Sequence, residues 1–205
     1  MRPLLRRSMR VVITVMIGIV FGTALGILAR GWMRLVSEDP EFSLSGTLFI
    51  VGVFTIWGLA QGFVVGMRRV TSRRWLVSMI RAFGVLGMFP LFLGAGAVMA
   101  PTVIFGGLGI HRSEWKLPIR LLLGLIALLP ITVVIGQIHS DLSWSWRFWL
   151  GIVGLISIWG SLAIASRDTF SQQTDGWRVP RLTRVLLIAG VALAVALPAI
   201  GVGIR

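Results

Sequence analysis

Read for hydropathy alone, the chain is a succession of long apolar runs separated by short, arginine-bearing stretches. The runs cover 11–29, 44–66, 76–110, 118–138, 148–165 and 185–204. About 20 consecutive apolar residues cross the hydrocarbon core of a bilayer, so each run predicts a membrane-spanning segment. The runs are continuous instead of alternating, which argues against barrel strands. A helix satisfies its own backbone polar groups where lipid offers no partner. The pattern predicts an all-α polytopic integral membrane helix bundle with six to seven transmembrane helices. Residues 1–205 then form a single transmembrane domain, with no room for a soluble domain of ordinary size.

The run 76–110 decides the helix count. As one helix it would be roughly 50 Å long, well beyond the hydrocarbon thickness. Counted as a single crossing, it gives six helices with ten basic residues on one face and nine on the other. Folded back around Phe89-Pro90 and the Gly94/Gly96 region, with arms 76–89 and 91–110, it gives seven helices. The basic count becomes fifteen against four. Cytoplasmic connections are enriched in Lys and Arg, so the charge rule prefers the second arrangement, with 76–110 a short or re-entrant helical hairpin. Pro90 suits a break because it cannot donate an intrahelical hydrogen bond. The same rule places the N-terminus in the cytoplasm, since Arg2, Arg6, Arg7 and Arg10 precede the first helix. Residues 11–29 are longer than a signal-peptide core and end in no good cleavage site, so they read as a retained helix. The expected location is a plasma (cell) membrane.

Composition adds mainly exclusions. The chain is 56% hydrophobic with a net charge of +13. In a soluble protein that charge would suggest nucleic acid; here the arginines lie between apolar segments, and nucleic acid is not an expected partner. There is no Cys, so thiolate metal sites and cysteine nucleophiles are excluded. His111 and His139 are predicted on opposite faces of the membrane, without metal-ligand spacing. The acidic residues Glu38, Asp39, Glu41, Glu114, Asp141, Asp168 and Asp175 all fall between the apolar runs, which disfavours a carboxylate proton relay. No phosphate loop, GxSxG elbow or HExxH motif occurs. Neither an enzyme nor a cofactor is expected.

What remains are packing signals and a few misplaced polar groups. Gly18, Gly22 and Gly26, and again Gly58, Gly62 and Gly66, repeat at four-residue spacing and make shallow grooves for close backbone approach. Counted from predicted helix ends at Ala29 and Leu44, the two stripes lie at different depths. At least one is therefore expected to meet a different helix or a second copy. Arg30, Arg34, Glu38, Asp39 and Glu41 form the most polar patch away from the N-terminus. The patch suits an external cation or partner, but Asp39 as N-cap, Pro40 at the first helical position and Glu41 at the helix dipole account for it locally. Apart from Arg120 at the very edge of 118–138, Arg81 is the only basic residue inside an apolar run, either functional or snorkelling to the headgroups. Gln61 and Gln137 can bond between helices. Trp57 and Trp159 lie deep, where each indole N–H requires an acceptor; a neighbouring helix is the favoured one.

Three functions fit this inventory. The first is a non-catalytic accessory or assembly component of a membrane complex, with membrane lipids and a membrane-protein partner or homo-oligomer as its contacts. The second is a small-solute transporter or channel lined by Arg81 and Gln61. The third is a lipid-active membrane enzyme using arginines and a loop carboxylate.

Overall fold

A computed structural model describes residues 2–37, 43–94 and 99–171, with side chains for 8–37, 43–93 and 100–171. All elements among the described residues are helices: α1 (Arg2–Val36), α2 (Leu44–Arg68), α3 (Arg74–Leu86), α4 (Phe89–Gly94), α5 (Met99–His111), α6 (Leu117–Leu142), α7 (Trp146–Ala165) and α8 (Arg167–Phe170). Five stretches are long and apolar enough to cross a membrane: Ser8–Val36, Leu44–Arg68, Arg74–Leu93, Leu117–Leu142 and Trp146–Ala165. The apolar helix Ala100–His111 is shorter. The fold is an all-helical bundle of the membrane-spanning kind. The run 185–204, with Trp177 and the basic residues before it, lies outside the described residues.

Side-chain bonds orient the helices between two ends of the bundle. The connection of α1 to α2 marks one, the turn end; Arg68 marks the other, the arginine end. α1 and α2 are antiparallel, since Gly66 meets Val11 near the start of α1 and Gly26 meets Val51 nearer the turn end. α3 starts at the arginine end and runs back along α2, with Gly84 bonded to Gln61 and Gly87 against Ala60. α5 returns, because His111 at its end bonds Ala163 near the end of α7. α6 then leaves antiparallel to α5, where Arg120 bonds Gly109 and Thr102 bonds Ala127. α7 comes back from the turn end, where Arg147 meets Leu35 and Ser37. Both ends of the 74–111 stretch therefore lie at the arginine end.

That stretch folds back as its length demands, between the end of α4 at Gly94 and the start of α5 at Met99, in the glycine part of the expected break and after Pro90. The first arm steps at Gly87 and Met88 and continues through α4; the second arm is α5 alone. Pro90 and Pro101 each fall in the first helical turn, where a missing N–H has no intrahelical acceptor to lose. α5 rises about 20 Å, less than a full hydrocarbon crossing. Pro130 lies inside α6.

The core gathers where α1, α2, α4, α5 and α7 meet, around Phe54, Trp57, Met88, Leu91, Val103, Leu155, Ile158 and Leu162. α6 contributes little to it and presents Leu121, Leu122, Leu125, Leu128, Leu129 and Val133 outward. A uniformly apolar outward face is stable only in lipid.

The glycine stripes correct a sequence expectation: they face each other. A Cβ added at Gly18 would lie 2.9 Å from Gly62 Cα, at Gly22 3.0 Å from Gly58 Cα, and at Gly58 2.8 Å from Gly22 Cα. Gly62 would meet Val15 Cα at 3.0 Å and Gly66 would meet Val11 Cα at 3.0 Å. The expected mismatch came from ending the first helix at Ala29. α1 runs about two turns further, to Val36, and this moves Gly18 and Gly22 to the depths of Gly62 and Gly58. A hydroxyl pair, Thr23 Oγ1 with Thr55 Oγ1 at 2.9 Å, ties the same face nearer the turn end.

The start of α2 is a second correction. Its N-cap is Ser43, whose Oγ accepts from the Gly46 N–H at 3.2 Å, and not Asp39. Glu38, Asp39, Pro40 and Glu41 lie outside the described residues. Asp141, expected in a connection, is an exposed residue in the last turn of α6.

Candidate functional site

The polar groups of the bundle converge on α8, a single turn after α7. Its opening residue Ser166 is fully buried and bonds back to Leu162 O through its hydroxyl at 2.8 Å. Thr169, 1% exposed, donates its hydroxyl to Gln61 Oε1 at 2.7 Å, while Gln61 Nε2 donates to Gly84 O at 3.1 Å. One glutamine thus joins α2, α3 and α8. Gly84 is required at this crossing: a Cβ there would lie 2.5 Å from Thr169 Oγ1 and 2.8 Å from Val64 Cγ2.

Two arginines close around the carbonyl end of α8. Arg81 donates from Nε to Thr169 O at 2.8 Å and from Nη2 to Phe170 O at 3.2 Å. Arg68 donates from Nη1 to Asp168 O and, at 3.0 Å, to Ser171 O, with the Asp168 carboxylate 3.9 Å away. The last carbonyls of a helix lack intrahelical donors and carry the negative end of its dipole, so cations with several N–H groups are their natural partners. Arg81 is half-buried, and its guanidinium bonds protein carbonyls at the arginine end of the bundle. Arg68, 5% exposed and at the end of a predicted span, was not distinguishable by sequence from the exposed Arg69 beside it.

The remaining interhelical bonds repeat this pairing of side-chain donor with helix carbonyl. His111 Nε2 bonds Ala163 O at 3.0 Å, and Arg120 Nε donates to Gly109 O at 3.0 Å. At the turn end Arg147 donates to Leu35 O from Nε and Nη2, at 3.0 and 2.7 Å, and from Nη2 to Ser37 O at 2.8 Å. Trp32 is buried and donates to Gly151 O at 2.7 Å. Arg30 donates to Thr47 Oγ1 at 3.1 Å. Arg34 sits in the last turn of α1, and Gln137 is exposed. In the connection after α5, Glu114 pairs with Arg112 at 3.0 Å. Its own backbone N–H, and then Arg112, hold that carboxyl below the ordinary range.

Trp57 and Trp159 depart from expectation. Both are buried, and neither indole N–H has an acceptor. Trp57 instead packs beside Phe21, ring centroids 6.1 Å apart. A buried donor left unmade costs about 1–3 kcal/mol, which the apolar bulk of the two indoles offsets.

The structure thus brings together Gln61 and Arg81, two candidates separated in sequence, with Thr169, Asp168 and Arg68, which sequence reasoning passed over. It places Arg30 and Arg34 at the opposite end. Chemically, the cluster holds helices. The described residues contain no grouping of three or more His, Cys, Asp or Glu side chains of the kind that holds a metal ion. No family model matches this chain, and comparisons with curated proteins and with solved structures return no similar protein. The fold and its site define a class, a polytopic helical membrane protein whose helices are tied mainly by side-chain donors on backbone carbonyls.

Proposed function

We propose that the protein is a non-catalytic structural or accessory component of a membrane assembly. One observation carries this reading: of the polar groups best placed to line a path through the bilayer, Arg81 is bonded to α8, and Gln61 to α8 and to Gly84. A conducting or carrying site keeps polar groups available to its solute. The outward apolar face of α6 supplies a broad surface for lipid or a partner helix. Enrichment of Arg69, Arg73, Arg74, Arg112, Lys116 and Arg167 at the arginine end, against Arg30, Arg34 and Arg147 at the turn end, supports a cytoplasmic N-terminus.

Mild-detergent extraction from native membranes should recover the protein with a stoichiometric partner whose loss lowers its abundance. Solute flux through liposomes containing the purified chain alone would overturn the proposal in favour of a transporter, above all if Arg81→Gln abolished it. Orientation is tested by single cysteines in this cysteine-free chain. An impermeant reagent should label Ser143→Cys from outside intact cells and spare Ser72→Cys and Ser113→Cys; the reverse pattern inverts the topology.

A further inference from the structure

The basic side chains at the arginine end divide into those bonded within the fold and those that are not, the latter including the scattered Arg10, Lys116 and Arg167. Arg68, Arg81 and Arg120 donate to backbone carbonyls, and Arg112 pairs with Glu114 and lies over the Trp115 ring at 5.2 Å. The α2–α3 connection is different. Arg69, Arg73 and Arg74 are exposed, and none of their side chains makes a hydrogen bond or ion pair. No acidic residue occurs between Arg68 and Arg81, and the nearest described carboxylates, Asp168 and Glu114, already face Arg68 and Arg112. Trp75 follows at once, 59% exposed.

Nothing within the fold gains from three guanidiniums here. Arg73 and Arg74 sit at the start of α3, where cations oppose the helix dipole, and no acidic residue lies in its first turn. Removing them would relieve mutual repulsion and leave every described hydrogen bond intact. The connection is instead complementary to something outside the chain: several planar, fork-shaped donors that match phosphate oxygens, next to an amphipathic ring suited to headgroup depth.

We infer that residues 69–75 form a docking surface for the phosphodiester headgroups of acidic phospholipids, with Arg69, Arg73 and Arg74 as ligands and Trp75 as the interfacial anchor. Basic residues beside a membrane attract an acidic leaflet, and each contributes a gain of about fivefold in local preference. The surface works with the committed arginines because these are unavailable, so lipid selectivity and bundle stability reside in different side chains. This inference does not depend on the accessory role proposed above.

The test is lipid retention by the full chain. Protein in nanodiscs of mixed phosphatidylglycerol and phosphatidylcholine is extracted gently, and bound lipid is counted by mass spectrometry. Wild type should retain phosphatidylglycerol well above its share of the mixture, an enrichment that falls steeply with salt. The triple variant Arg69→Gln/Arg73→Gln/Arg74→Gln should lose that enrichment by at least tenfold. Arg10→Gln/Lys116→Gln/Arg167→Gln removes the same charge from the same end and should lose much less. Equal losses in the two triples would overturn the site in favour of diffuse charge, and unchanged retention in the first would overturn it outright. Millimolar inorganic phosphate should not displace the lipid; displacement would show that a free phosphate is the ligand and sink the lipid assignment. Arg69→Lys/Arg73→Lys/Arg74→Lys, which keeps charge without the fork, should fold normally and show intermediate enrichment. Full wild-type enrichment in it would remove the role given to guanidinium geometry.

Discussion

The α1–α2 face and the α8 junction hold helices together by opposite means. Between α1 and α2 the glycines remove side chains altogether, and two backbones approach until an added methyl would overlap a Cα. At α8 the arginines of α2 and α3 reach across to backbone carbonyls, and Gln61 of α2 accepts from the Thr169 hydroxyl. In lipid no hydrophobic force draws helices together, so van der Waals contact and interhelical hydrogen bonds are what remains. The first device tolerates no added volume. The second tolerates volume and fails when a donor is lost.

The contrast can be broken at each side separately. The largest effect is expected at the glycine face: Gly22→Ile or Gly58→Ile should destabilise the bundle by more than about 3 kcal/mol, because the obstruction is backbone and cannot rotate away. Gly52→Ile on the same helix, where a Cβ meets open space, should leave thermal stability in detergent close to wild type. Equal losses at Gly58 and Gly52 would mean that helix propensity and not contact governs the face. Next comes Arg68→Met, predicted to cost about 2–3 kcal/mol through loss of charge-assisted bonds to α8, with chymotryptic cleavage near Phe170 accelerated. Gln61→Leu should cost about 1 kcal/mol, in line with interhelical hydrogen bonds in membrane proteins. A double-mutant cycle of Gln61→Leu with Thr169→Val should show coupling; strict additivity would mean the 2.7 Å bond contributes nothing. The smallest change, and of opposite sign, is expected for Trp57→Phe. It deletes a donor that has no acceptor, so stability should hold or rise slightly.

Much of this architecture was legible in the chain because lipid imposes long periods on sequence. Apolar runs of fixed length located the five long helices, and excess length alone announced that 76–110 folds back. The glycine spacing marked a contact face correctly but not its partner, since register depends on where α1 stops. Gly31, Trp32 and the arginines obscured that end because they read as a boundary yet lie within a continuing helix, where Trp32 bonds Gly151 of α7 and Arg30 bonds Thr47 of α2. The α8 junction left no local signature. Thr169 resembles any loop threonine, and its significance comes from Gln61, 108 residues away. Arg81 stood out by its surroundings, yet whether an intramembrane cation meets water, lipid or a carbonyl depends on an element at the far end of the described chain.

That distance has a consequence for biosynthesis. Arg68 and Arg81 are made 100 and 88 residues ahead of the carbonyls that receive them. At roughly 5–20 residues per second, each cation waits several seconds before α8 is translated. During that interval α2 and α3 carry uncompensated charge at the bilayer, a nascent state that the insertion machinery or neighbouring phosphates must shelter until the last turn arrives.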